Sequence, residues 1–249
     1  MGEKVVVITG ASSGIGAALA EALAKRGMAV VLVARRQAAL EEVAARCGDR
    51  SLAIAADMTR REDATRVVDA ALARFGRIDV WVNNVGLGIN RMPSALTDED
   101  IDLMILVNVK SAIYGTQAVL PHFTSRNDGQ IINVSSMLGR APFAVFRSAY
   151  SASKHFLNAI TANLRDELHE THPGIQVTLV SPGVVRTDFG KNAVHGGPDS
   201  RSLPNSQSAE EVAAVIAWAI ETRPPDVYTR RGAAAMIAKY YTTIGADPA

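Results

Sequence analysis

Six short, mostly apolar runs punctuate the chain, at 5–9, 29–34, 51–55, 80–83, 130–134 and 176–180. Each has the length of a strand, and the stretches between them change period. Ile15, Leu19, Ala22 and Leu23 recur at helical spacing before Gly27 stops the pattern. Thr97, followed by Asp98, Glu99 and Asp100, predicts a capped helix that runs past Asn108 towards Val119 and ends before Pro121. A second long helix is predicted over 149–170, stopped before Pro173; Ser208 and Glu211 open another that reaches Thr222, and an edge strand is expected at 226–229. This alternation predicts an α/β fold: a doubly wound parallel sheet of about seven strands with helices on both faces, three layers in all. Residues 189–207, rich in glycine, proline, asparagine and serine, predict a mobile loop with one short helix. No repeat or linker divides the chain, so one domain is expected over 1–249, with 188–207 as a substrate loop.

Composition narrows the classes. A formal charge of +1 offers no basic excess for a phosphate backbone, so no nucleic-acid partner is expected. The longest uninterrupted apolar runs fall far short of the roughly 20 residues of a membrane span, and the chain opens without a charged-then-apolar leader. Gly2 begins a weak acylation pattern, but Val6 stands where Ser or Thr is wanted. The single cysteine, Cys47, fits a reducing compartment and hence a cytoplasmic protein; at the end of an apolar helical pattern it reads as structural. Histidines and carboxylates show no ligand-spaced cluster, so no catalytic metal is expected.

The chemistry begins after the first strand. Gly10, Ser12, Ser13, Gly14, Ile15 and Gly16 form a glycine-rich turn that opens the first helix, where a pyrophosphate can approach the main chain and the free N–H groups of a helix start. The Gly-x-x-x-Gly-x-Gly spacing resembles the short-chain dehydrogenase/reductase family, whose fold is Rossmann-like. Many NAD-using members carry an acid at the position matching Ala34; here Arg35 and Arg36 follow instead, and guanidinium is a natural partner for a 2′-phosphate, so NADP(H) is the expected cofactor. Asp57 and Met58 match the family's adenine-binding positions, and Asn84-Val85-Gly86 resembles its Asn-Ala-Gly. Pro182, Gly183, Val185 and Thr187 resemble its Pro-Gly motif, where Val185 meets the nicotinamide carboxamide through its backbone and Thr187 binds the cofactor through its hydroxyl.

Tyr150 and Lys154, four residues apart, share one helix face. Carbonyl reduction needs a positioned acid for the oxygen that hydride transfer leaves negative. A phenol with a pKa of about 10 is a poor base for the reverse reaction unless a cation stabilises its phenolate, a role the spacing assigns to Lys154, worth at most roughly 4 kcal/mol. The resemblance assigns Ser136 as donor to the substrate oxygen and Asn108 as holder of a water that relays protons from Lys154. Ser136 precedes Tyr150 by fourteen residues, one more than usual, which leaves Ser135 as a rival. Joint occurrence of these motifs over essentially the whole chain implies a reductase of ketones or aldehydes that acts on CH–OH and carbonyl groups.

The turn from Leu138 to Phe146, the loop from Leu87 to Met92 and the loop after Thr187 are expected to line the substrate pocket. Phe143, Phe146 and Met92 suggest a small to medium apolar carbonyl substrate, or else pack as core. The ending around Lys239 to Thr242 lacks the Val-Asp-Gly-Gly-like tail of many tetrameric members. That lowers the acyl-carrier-protein reductase alternative and favours a homodimer over a tetramer. A non-catalytic NADPH-binding regulator is the remaining alternative, disfavoured by retention of all four catalytic side chains.

Overall fold

The structure, a computed structural model, describes residues 4–245, so Gly2 and its acylation pattern lie outside the described residues. Seven strands form one parallel sheet: β1 (Val5–Thr9), β2 (Ala29–Ala34), β3 (Ser51–Ala55), β4 (Val80–Asn83), β5 (Gly129–Val134), β6 (Ile175–Ser181) and β7 (Asp226–Tyr228). Their order is β3-β2-β1-β4-β5-β6-β7. The chain winds outward from β1 to β3, returns to lay β4 against the other side of β1, and winds outward again, the doubly wound topology expected.

The apolar character of the strands follows from cover on both faces. Val6, Ile8, Val30 and Leu32 face α1 (Gly14–Ala24), α2 (Gln37–Cys47) and α7 (Ala209–Thr222), meeting side chains such as Leu19, Leu40 and Ile216. Their neighbours Val7, Val31 and Val33 face α3 (Arg61–Phe75), α5 (Ser111–Arg126) and α6 (Ser148–Thr171), where Val67, Phe123 and Leu168 close the second core.

Two expectations are corrected. The helix begun at Thr97, with the anticipated capping box to Asp100, is α4 (Asp98–Ile105); it passes through one π-helical turn at Leu106–Lys110 and continues as α5 to Arg126, with Pro121 inside it. Proline removes one backbone bond there, but Val119 and Phe123 on either side of it are fully buried, and that burial outweighs the local penalty. An 18-residue stretch within the joined helix, 98–126, has a mean hydropathy of 1.4, enough by length and composition for a membrane span, although no uninterrupted apolar run there is that long. Its buried side chains pack on the sheet, as in a core helix. A final helix, α8 (Ala233–Ile244), was not anticipated; Ala233 and Ile237 bury against Met137 and Ala141.

The stretch 189–207 contains one short 3-10 turn, Ser200–Ser202, as expected. It is also pinned to the body, where Val194 pairs with Ile89 and His195 meets Asp100 at 2.7 Å, and braced locally by Arg201 on Asp188 and Lys191 on Asp199.

Candidate active site

The glycine turn folds tightly onto the start of α1. Gly10 has φ +69°, in the region that favours glycine, and a Cβ on Gly16 would collide with the Gly10 carbonyl and stand 2.8 Å from Asn84 Nδ2. No side chain comes between the turn and the helix start, and the first-turn N–H groups are left without intrahelical partners. Ser12, Ser13, Gly14, Thr187 and Asp188 border a groove of about 490 Å³ along this edge. Ile15 packs into the first core.

Asn84 braces the turn from the end of β4. Its backbone N–H donates to Thr9 Oγ1 at 3.0 Å, and its side-chain amide donates to the carbonyls of Thr9 (3.1 Å) and Gly10 (3.3 Å). Arg35 and Arg36 are exposed beyond β2, and Arg36 reaches Ser12 Oγ at 3.4 Å. Asp57 closes a turn by accepting from the N–H and hydroxyl of Thr59, while Met58 is buried. Val85 packs on the second core. Beyond β6, the Pro182 carbonyl accepts from Met137 N–H at 2.8 Å, Gly183 lies against Arg230, Val185 pairs with Gln207, and Thr187 lies over Gly14. These segments meet at the carboxyl ends of β1, β4 and β6, around the crevice where the winding reverses.

The catalytic candidates gather on the other side of that crevice. Tyr150 and Lys154 lie one turn apart on α6, 7% and 3% exposed. Ser136 opens the 3-10 turn Met137–Gly139, its hydroxyl accepting from Leu138 N–H at 3.1 Å and lying near enough to the Tyr150 phenol to act on its proton. Ser135 is not its equivalent: its hydroxyl donates to Asn158 Oδ1 at 2.5 Å and is tied to α6. Asn108 sits in the π turn with its side chain clamped on Leu87, accepting from the N–H at 2.8 Å and donating to the carbonyl at 2.9 Å. It also donates to Ser153 Oγ at 3.1 Å. The wider turn thus aims the amide at the start of the 87–92 loop. A Cβ on Gly86 would lie 3.5 Å from Asn108 Oδ1 and 3.7 Å from Lys154 Nζ, so all three share one corner.

Burial pushes the Tyr150 phenol up to about 12; the hydrogen bond with Ser136 and the positive charge of Arg147 oppose it. Burial also draws the Lys154 ammonium down to about 8. Lys154 Nζ donates to the Val134 carbonyl at 3.0 Å and lies 5.9 Å from the centre of the Tyr150 ring. Arg147 thus adds a second positive charge, beside that of Lys154, that opposes the rise of the phenol.

Sequence reasoning passed over Arg147 and Phe189. The Phe189 ring stands edge-on to Tyr150, centroids 5.4 Å apart, against Gly86 and Gly88. Its only signal was membership of the anticipated substrate loop. Met92, Phe143 and Phe146 are exposed rather than core, and Tyr240 of α8 meets Phe143 at 5.5 Å.

The short chain dehydrogenase family profile matches residues 4–196. The chain belongs to that family. This short-chain dehydrogenase is 42% identical over 194 residues to an uncharacterized oxidoreductase of Staphylococcus saprophyticus, covering 74% of this chain and 80% of the relative. A 3-ketoacyl-(acyl-carrier-protein) reductase of Brucella melitensis, solved with NADH, superposes with TM-score 0.80 at 30% identity over 92% of this chain and 98% of its own. A serine dehydrogenase solved with NADP+ superposes with TM-score 0.83 at 29% identity over 90% and 93%.

Proposed function

We propose that this short-chain dehydrogenase reversibly reduces a small to medium ketone or aldehyde to an alcohol with NADPH. The observation that carries the reading is the meeting of Tyr150, Ser136, Lys154 and Asn108 in one corner of the crevice whose other side is the glycine turn.

The residues present fit the cofactor. A cradle that a Cβ on Gly16 would fill suits a pyrophosphate, held by Gly10 to Gly16 and the start of α1. Arg35 and Arg36 hold the 2′-phosphate, Asp57 and Met58 the adenine, and Val85, Gly86 and the segment from Pro182 to Thr187 the nicotinamide end. When bound, the cofactor supplies the hydride. The Ser136 hydroxyl donates to the carbonyl oxygen of the substrate and resists loss of its orientation because Leu138 N–H holds it. The Tyr150 phenol, protonated at neutral pH, delivers its proton to the same oxygen as negative charge develops there. The Tyr150 phenolate so formed takes a proton back from the Lys154 ammonium, held at the Val134 carbonyl, and the resulting amine regains its proton from solvent; Asn108 holds the start of the 87–92 loop beside them. Met92, Phe143 and Phe146 give the mouth an apolar rim.

The same reading takes the protein as a cytoplasmic homodimer acting on a small molecule; the near-neutral charge argues against a nucleic-acid partner and the lone cysteine fits a reducing compartment. The test is consumption of NADPH, and separately NADH, against a panel of aliphatic, aromatic and polycyclic ketones, with Tyr150→Phe as control. Turnover with NADPH that disappears in the variant is the expected result; cofactor binding without turnover on any ketone would contradict the reading.

A further inference from the structure

Arg147 is the residue just before α6, three residues before Tyr150, and is 8% exposed. A buried guanidinium ordinarily has a carboxylate beside it, because an uncompensated charge out of water is costly. Its neighbour Arg91 obeys the rule: Nη1 lies 2.7 Å from Asp100, a buried carboxylate that also receives His195 at 2.7 Å. Arg147 does not. Among the described residues it forms no ion pair; its one hydrogen bond, from Nη1 to the Ile89 carbonyl at 3.1 Å, uses one of five N–H donors.

The guanidinium is packed between the three segments that surround the reacting corner, with the Phe146 ring centre 5.6 Å from its central carbon. A Cβ on Gly88 would stand 2.8 Å from Nη1, and one on Gly197 would stand 3.0 Å from Nη2. Phe189 bridges this spot and the phenol, with its ring against both Gly88 and Tyr150. The start of a long helix adds the partial positive charge of its unpaired N–H groups. The Tyr150 phenolate, when formed, is the one anionic group that acts on Arg147, and burial otherwise draws the guanidinium below its ordinary value.

We propose that Arg147 is the anchor for a carboxylate on the substrate, so that the protein acts on an oxo acid and its hydroxy acid, with the apolar part of the chain against Phe189 and the rim. The inference rests on the reading of Tyr150 as proton donor to the same substrate. The bound carboxylate supplies the missing counter-charge and fixes the distance between the acid group and the reacting carbon. A planar fork accepts a carboxylate through two parallel hydrogen bonds, a geometry lysine cannot copy.

The test compares oxo acids from pyruvate to 6-oxoheptanoate with their methyl esters, using the NADPH-loaded wild type, Arg147→Gln and Arg147→Lys. The wild type is expected to prefer at least one acid over its ester by about 10- to 100-fold in kcat/KM, carried in KM. Arg147→Gln collapses that preference towards unity, and Arg147→Lys restores part of it. A wild type that treats acids and esters alike overturns the proposal, as does equal loss on both in Arg147→Gln, the signature of a clamp on Ile89. A second readout separates the two readings: calorimetric titration of the NADP+-loaded protein with butanoate and with butanamide. Saturable binding of butanoate alone, lost in Arg147→Gln, supports the anchor even if no carbonyl is reduced, in which case the reductase reading fails by itself. No difference between the two titrants overturns the anchor.

Discussion

The two ends of the crevice are built on opposite principles. The phosphate cradle is main chain: a continuous stretch from Gly10 to Gly16, shaped by the absence of side chains and braced by one, Asn84. The proton-transfer corner is side chain: Asn108, Ser136, Tyr150, Lys154, Arg147 and Phe189 come from four separate segments and are mostly buried. A site of backbone is damaged by adding an atom. A site of buried polar side chains is damaged by removing one, and the fold bears the cost of keeping them there.

The contrast can be broken at each end. Tyr150→Phe, the loss of one oxygen, is expected to lower kcat by about 10²- to 10⁴-fold while the chain stays folded, as read by steady-state kinetics beside far-UV circular dichroism. At the other end, Gly16→Ala adds one carbon where the Gly10 carbonyl already stands. It is expected to destabilise the protein by about 1–3 kcal/mol in urea titration and to weaken both NADPH and NADH.

Lys154→Met sharpens the comparison by separating cost from function. The folded-state value of Lys154 is about 8, below its ordinary 10.5, so the native protein holds this proton less tightly than the unfolded chain. The penalty is fully present below pH 8 and disappears as pH rises from there towards 10.5. The methionine variant should therefore be more stable than wild type at neutral pH, by up to about 3 kcal/mol, and inactive, with the gap narrowing at alkaline pH in denaturant titrations. The smallest effect belongs to the exposed arginines: Arg35→Ser with Arg36→Ser is expected to cut the preference for NADPH over NADH by about tenfold, seen in the ratio of kcat/KM values.

The same contrast explains what could be read from the chain. The cradle was legible because its residues are consecutive and its context, strand then helix, is local. β1 to β4 were placed to the residue because cover on both faces makes their apolar runs continuous. Pro121 misled because its local penalty is overruled by burial of Val119 and Phe123, which no helical spacing reveals. Tyr150 and Lys154 announced themselves by sharing a helix face, but their electrostatics did not: only the folded chain turns Lys154 to Val134 and brings Arg147 to bear on the phenol. Phe189 and Arg147 carry no local pattern, and their roles exist only where three loops meet.

The central claim is that a buried, protonated Tyr150 delivers the proton. The most direct test is the pH dependence of kcat in both directions, reduction with NADPH and alcohol oxidation with NADP+, in the wild type. With the phenol pushed up to about 12, reduction should hold level through the neutral range while oxidation climbs with pH as the phenolate fraction grows. Oxidation that ignores pH, or reduction that rises with it, would contradict the account.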